Sequence, residues 1–343
     1  MRAVRVAGET LEVVELPDPT PGPDGVVVEV ERCGICGTDL HLTHPPGAVG
    51  LVPGHEVAGR VVEVGAEVRG LRVGQRVAVK PSDPCGTCSA CLRERPNACP
   101  NQWATHIGLG INGGYAEYLR APARSCVPIP EHVSAADAAL AEPFAVALHG
   151  LSLVGTIPAG TDAAVIGAGP IGLLVTVALA TRGVAVTVVE PNPRRAAVAA
   201  GLGATSVHAS CDELDDGGQG STSLVVECSG APGTIDDAIR LARVGANVVL
   251  MGISGHPVTI QAGQWLLKEI AVSPSVGYSM ADFKAGVKAV SDGVVTARLL
   301  ETETVGLDAA QKSFETLRRG EAVKVQLAPG AGLDEAAAAE RAE

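Results

Sequence analysis

The sequence predicts an α/β protein in two parts, an irregular β-rich region followed by a doubly wound parallel sheet. Three observations carry that expectation. Residues 1 to about 145 hold short β-branched, partly alternating runs separated by Gly and Pro. From near residue 150, continuous apolar runs alternate with helix-like ones, the pattern of parallel strands covered on both faces. Inside the first part, over residues 81–100, four cysteines crowd one short excursion.

The elements follow in order. GVVVEVERCG, HEVAGRVVEVGAEV and QRVAVKP read as strands of the first part, with breakers such as PDPTPGPDG between them. In the second part AAVIG precedes helical PIGLLVTVALATRG, and AVTVVE precedes PNPRRAAVAAGLGA. TSLVVECSG precedes APGTIDDAIRLARVG, and ANVVLMG closes the series. Beyond about residue 280 come helical MADFKAGVKAVSDG and LDAAQKSFETLRRG and a last strand, AVKVQLA, expected to return to the first part. The tail AGLDEAAAAERAE reads as a frayed helix without function.

Aromatics are 2% of the 343 residues, so the cores must be built from Val, Ala, Leu and Ile. A formal net charge of -12 repels phosphate backbones and anionic headgroups, which argues against nucleic acid or a membrane surface as partner. The start, MRAVRVAGETLEVVEL, has no apolar signal core. The most apolar run, AAVIGAGPIGLLVTVALA, is interrupted by Gly and Pro and fits strand, turn and helix better than a membrane span. The expectation is a soluble, cytoplasmic chain.

Cys85, Cys88, Cys91 and Cys99 have the spacing C-x2-C-x2-C-x7-C. Four thiolates that close read as one closed tetrahedral zinc site, structural because no position is left open. Two disulfides are the alternative, disfavoured by the reducing context. A nucleic-acid-binding zinc ribbon is another, disfavoured by the acidity and by the lack of a basic aromatic surface. Of the nine cysteines, Cys33, Cys126, Cys211 and Cys228 have no metal-like neighbours and read as small buried apolar residues.

Gly167-Ala168-Gly169-Pro170-Ile171-Gly172 is G-x-G-x-x-G between a strand and a helix, the context that makes this pattern a dinucleotide turn. Gly167 permits the tight turn, Gly169 the approach of a pyrophosphate, and Gly172 close helix–strand packing. The helix N-terminus adds amide protons for the phosphates. Glu190 ends the next strand, where a carboxylate accepts from both ribose hydroxyls of NAD and repels the extra phosphate of NADP. Arg194 and Arg195 argue the other way or lie along the adenosine edge; NAD is the favoured cofactor.

A catalytic zinc needs about three protein ligands and an open position. Cys36 and His55, each after a glycine-rich turn, are the candidates, with core packing as the plain alternative. Glu56 and Glu142 compete for the remaining place. At the open position an alcohol loses its proton near neutral pH and hydride passes to the nicotinamide. Thr38 and His41 suit a proton relay out of the site. His44, His106, His149, His208 and His256 read as structural or surface residues.

CGICGTDLH, PGHEVAGRVVEVG, the four-cysteine lobe, GGYAEYL, AEPFAVALHG, VIGAGPIG and VVECSG together resemble the zinc-containing medium-chain dehydrogenase/reductase family, over nearly all of residues 1–330. The resemblance implies a GroES-like catalytic domain, residues 1–147 and 285–343, and a Rossmann NAD-binding domain, residues 148–284, with the active site in the cleft. It implies Cys36, His55 and Glu142 at the catalytic zinc, with Glu56 as an alternative ligand. Thr38 and His41 match the relay positions, and Asp39 matches a supporting one. Lys324 matches a basic position of the last strand, without assigned chemistry. Glu-Pro at 142–143, where liver-type alcohol dehydrogenases have a cysteine, resembles the polyol and threonine branch. The expected protein holds two zinc ions per chain, uses NAD, and is a homotetramer or homodimer acting on a secondary alcohol or polyol. A biosynthetic cyclitol or amino-cyclitol dehydrogenase is the enzymatic alternative, and a binding protein on the same fold the non-enzymatic one.

Overall fold

The computed structural model describes residues 1–42, 48–214, 217, 220–255 and 257–330, the side chains of His41 and Leu42 excepted. The expectations for His44, His256 and the alanine-rich tail, and for the side chain of His41, lie outside the described residues. In chain order the elements are β1 (Arg2–Ala7), β2 (Thr10–Glu15), β3 (Gly25–Gly34), α1 (Gly37–Leu42), β4 (Glu56–Val64), β5 (Arg76–Val79), α2 (Ser89–Leu92), β6 (Tyr118–Pro122), β7 (Cys126–Pro128), α3 (Ala135–Ala139) and α4 (Ala141–Ser152). They continue as β8 (Asp162–Ile166), α5 (Pro170–Ala180), β9 (Ala185–Val189), α6 (Pro193–Gly201), β10 (Ser206–His208), β11 (Thr222–Glu227), α7 (Thr234–Leu241), β12 (Ala242–Leu250), α8 (Ala262–Lys268) and β13 (Ala271–Pro274). The last are α9 (Met280–Ser291), β14 (Thr302–Val305), α10 (Ala310–Arg318) and β15 (Lys324–Leu327). Two compact units result, Met1–Glu142 with Ser279–Glu343, and Pro143–Tyr278.

The first unit is built on a seven-stranded sheet ordered β14-β15-β3-β4-β5-β7, with β6 also on β3. Its core is valine-rich, as the scarcity of aromatics requires, and two of the few aromatics, Tyr115 and Phe314, meet edge to face inside it. β3 is buried over Val26–Val28, where β4 and β6 pair with its two edges. Its far end fixes the site. Gly34 pairs with Glu56 at the start of β4 and with Gln326 of β15. Three strand ends therefore meet, bringing together residues that are far apart in sequence.

The second unit carries six parallel strands ordered β10-β9-β8-β11-β12-β13. The order reverses between β8 and β11, the switch point where open α/β sheets bind ligands. α5 is apolar on nearly every side and buried from Gly172 to Leu179, hence its lack of charged residues. β12 begins earlier than the expected ANVVLMG. Ala242 pairs with Thr222, the chain bulges through Gly245 at φ +72°, and regular pairing resumes at Asn247. The Lys268 ammonium donates to the carbonyls of Ile239, Arg240 and Ala242, so a buried cation ends α7 where its last carbonyls lack partners.

Candidate active site

Cys36 follows β3, and Asp39 in the next helix folds back on it. One Asp39 oxygen, Oδ2, accepts the Cys36 N–H at 2.9 Å and the Tyr115 hydroxyl at 2.7 Å. The other, Oδ1, lies 3.3 Å from His55 Nδ1. Asp39 is fully buried. Burial alone would raise its pKa, but the His55 charge, followed by bonds from His55, Cys36 and Tyr115, holds it below the usual carboxylate range. An aspartate on Nδ1 leaves Nε2 as the ring nitrogen for a metal and fixes the ring orientation.

His55 and Glu56 arrive through Gly54, at φ +96°, where a Cβ would lie 2.3 Å from the Tyr115 ring. Gly34 is the second obligatory glycine, since a Cβ there would lie 1.8 Å from Glu56 Oε2. Ligand atoms of Cys36, His55 and Glu56 all fall within 4.8 Å of one another. Sulfur, imidazole and carboxylate at that separation fit a zinc ion. Thr38 Oγ1 stands 3.7 Å from Cys36 Sγ. Glu142 is buried in the first turn of α4 and senses the charges of Lys80 and Lys324, but it does not join the mutually close set.

Two features were not legible in the motifs. Lys324, fully buried, places its ammonium 2.6 Å from Glu56 Oε2 and donates to the Ile35 carbonyl at 2.9 Å. His106, read as structural or surface, packs edge-on against His55 with ring centroids 5.9 Å apart. Trp103 stacks on the same ring. Burial, reinforced by the neighbouring His55 charge, pushes His106 down to about 4. Only the G-x-G rhythm of HIGLGINGG hinted that this loop approaches another backbone.

In the lobe, Sγ separations are 3.5 Å for Cys88–Cys91, 3.7 Å for Cys88–Cys99 and 3.6 Å for Cys85–Cys99. A tetrahedron with Zn–S arms of about 2.3 Å has edges of about 3.8 Å. A disulfide requires about 2.05 Å, and all nine cysteines are free thiols. Hydrogen bonds from the Thr87 backbone and hydroxyl, then Asn101, hold Cys85 down to about 5, towards the thiolate a metal needs.

In the second unit, Gly167 has φ +93°, and a Cβ there would lie 2.9 Å from the Ser229 Cβ. A Cβ on Gly172 would lie 1.8 Å from the Gly167 carbonyl oxygen, whereas one on Gly169 meets only open space. Gly169 caps α5 and Pro170 opens it, leaving the following Ile171 half-buried. Glu190 is buried; its Oε2 accepts from Ala168 N–H at 2.7 Å, and its Oε1 from Asn192 N–H at 2.8 Å and Arg195 at 2.9 Å. Glu227, which ends β11, was not singled out in the sequence. Its Oε1 accepts from Ser229 N–H, Ser229 Oγ, Gly230 N–H and Thr234 Oγ1, pinning the loop that packs on Gly167.

The chain is similar to known proteins over most of its length. Residues 22–131 match the alcohol dehydrogenase GroES-like domain, and residues 170–292 match the zinc-binding dehydrogenase family. An L-threonine 3-dehydrogenase of Xanthomonas campestris is 33% identical over 341 residues, covering 94% of this chain and 97% of its own. The chain belongs to the zinc-containing medium-chain dehydrogenase family. Among solved structures, the dehydrogenase resembles a putative zinc-binding dehydrogenase from Sinorhizobium meliloti 1021 bound to NADP, with TM-score 0.87, 31% identity, and coverage of 96% of this chain and 99% of that one. It also resembles an alcohol dehydrogenase of Escherichia coli CFT073 complexed with NADH, with TM-score 0.88, 28% identity, and coverage of 96% and 99%. The GroES-like plus Rossmann architecture and the oxidoreductase class of this dehydrogenase follow. No described helix is long and apolar enough to cross a membrane.

Proposed function

We propose that this dehydrogenase oxidises a secondary alcohol or polyol to a ketone with NAD, holding one zinc in the four-cysteine lobe and another at Cys36 and His55. The convergence of Cys36, His55 and Glu56 ligand atoms within 4.8 Å carries the reading. A zinc ion bound there supplies Lewis acidity to the substrate hydroxyl. Asp39 orients His55, and Lys324 holds the Glu56 carboxylate by its side, so Glu56 and Glu142 are alternative third ligands. Thr38 takes the proton from the substrate hydroxyl and passes it on, with His41 next in the relay. The Gly167–Gly172 turn seats the pyrophosphate, and Glu190 receives the ribose on its remaining lone pair.

NAD is favoured over NADP because Arg195 is already engaged by the Glu190 carboxylate at 2.9 Å. The cation that argued for a ribose phosphate thus neutralises the group that argues against one. Self-association is supported by β13, an edge strand of the parallel sheet, beside α8 with Leu266 79% and Leu267 78% exposed. The free thiols fit a reducing, cytoplasmic setting.

The test is metal analysis followed by a panel of secondary alcohols, polyols, amino alcohols and cyclitols with NAD and with NADP. Two zinc ions per chain and NADH formation with an acyclic secondary alcohol or polyol are expected. One zinc, or turnover confined to cyclitols, would redirect the reading, and a strong NADP preference would remove the role given to Glu190. Light scattering should give a dimer or tetramer.

A further inference from the structure

We infer that His106 is a specificity-determining residue that accepts a hydrogen bond from a second polar group on the substrate, a hydroxyl or ammonium on the carbon next to the reacting carbinol. The inference rests on the dehydrogenase reading above. It begins with the tautomer. His106 Nδ1 lies 2.8 Å from the Ile107 carbonyl oxygen. A carbonyl only accepts, so Nδ1 carries the proton. The ring is buried, and the single N–H of a neutral imidazole is the one Nδ1 uses. Nε2 is then a bare acceptor. It has no partner among the described residues, and it is not one of the atoms sealed from solvent.

Placement gives that lone pair a use. Trp103 stacks on the imidazole with centroids 5.7 Å apart, and His55 meets it edge-on at 5.9 Å. The ring therefore cannot swing away, and it stands beside a candidate ligand of the catalytic zinc. A substrate with one oxygen at the ligand cluster brings its neighbouring substituent into the range of such a ring. An acceptor held in place at a binding site disfavours substrates that lack the matching donor, because the acceptor is then left unpaired.

The test compares 2,3-butanediol, 3-amino-2-butanol and 2-butanol on the zinc-loaded enzyme and on its His106→Phe variant, which keeps the stacking and removes both nitrogens. The wild type should prefer at least one donor-bearing substrate over 2-butanol by more than tenfold in kcat/KM. His106→Phe should lower kcat/KM for that substrate about 30-fold, leaving 2-butanol within threefold and the zinc content unchanged. The hydroxyl and ammonium arms separate the two donor chemistries. His106→Gln, whose amide oxygen supplies an acceptor near Nε2, should recover part of the loss. A wild type without preference, or a variant in which all three substrates fall together or none falls, would overturn the inference. A second readout needs no turnover: ¹⁵N NMR of the zinc-loaded chain should show His106 protonated on Nδ1 and bare on Nε2, and the opposite tautomer would also overturn it. Inactivity of the wild type towards all three alcohols would instead count against the proposed function, a separable result.

Discussion

The two clusters of candidate metal ligands are built in opposite ways. The lobe draws four identical ligands from residues 85–99, two of them half-buried and one exposed, with hydrogen bonds that are mostly local. The Cys36 centre draws unlike ligands from two segments and surrounds them with a buried aspartate three residues from Cys36, and with a buried lysine and a tyrosine hydroxyl from two further places in the chain. A closed set of thiolates holds its segment together through the metal. A mixed set with an open position depends on the fold to keep its ligands aimed. If both clusters bind zinc as proposed, the metal would organise the chain in the lobe, while the chain would organise the metal at the centre.

Removing a ligand from each tests that contrast, and the largest effect is expected in the lobe. Cys99→Ser should lose one zinc per chain and open residues 81–100 to hydrogen exchange, since structural zinc in small domains contributes about 10 kcal/mol or more of folding free energy. Cys36→Ser should keep the lobe zinc and the melting temperature within a few degrees. It should lower kcat/KM about a thousandfold, about 4 kcal/mol in the barrier. If Cys36→Ser unfolded the first unit as readily as Cys99→Ser opens the lobe, the distinction would be lost.

The next effect separates aiming from binding. Glu56 is 1% and Lys324 0% exposed, and the pair is 2.6 Å apart. Lys324→Met leaves a carboxylate buried without its cation, which costs about 3–5 kcal/mol in pairs of this kind. Denaturant unfolding should show that loss, and Lys324→Met with Glu56→Gln together should recover most of it. Metal content of the single variant is the sharper readout. A carboxylate released from its lysine is free to turn to the zinc, so zinc should leave more slowly on chelator challenge. Equal release from variant and wild type would make Lys324 a packing residue only.

What the sequence disclosed follows the same division. The longer apolar strands, the cofactor turn and the four-cysteine lobe are short-range patterns visible in the spacing, whereas short strands such as β10, β13 and β14 are not. Cys36, His55 and Glu56 were readable as candidates because flanking glycines mark places where backbones crowd. Of their supports, the family resemblance pointed to Asp39 but gave Lys324 no chemistry. Lys324 looks like any basic residue in a β run until β15 is laid beside β3, bringing it over Glu56 across 268 positions. Beyond the glycines of its loop His106 carries no local mark, because its partners are a ring 51 residues away (106 minus 55) and a carbonyl of its own neighbour. The start of β12 was misjudged because Ala242 pairs across a bulge that no apolar rhythm announces.

The nucleotide unit repeats the contrast on a smaller scale. G-x-G-x-x-G is local, but Gly167 packs against Ser229, and Ser229 is held by Glu227 at the end of the strand across the switch point. Four donors on one carboxylate oxygen make Glu227 a positioning residue for a turn it does not belong to. Glu227→Ala should let residues 228–234 move, raising the dissociation constant for NAD about tenfold, near 1.4 kcal/mol. The KM for alcohol and the kcat at saturating NAD should change less than twofold. Glu227→Gln retains an acceptor oxygen and should lose about half as much free energy. A merely structural carboxylate would lower the melting temperature and every kinetic constant together. A change confined to cofactor affinity means that the turn is shaped by a residue 60 positions downstream of Gly167 as well as by its own glycines.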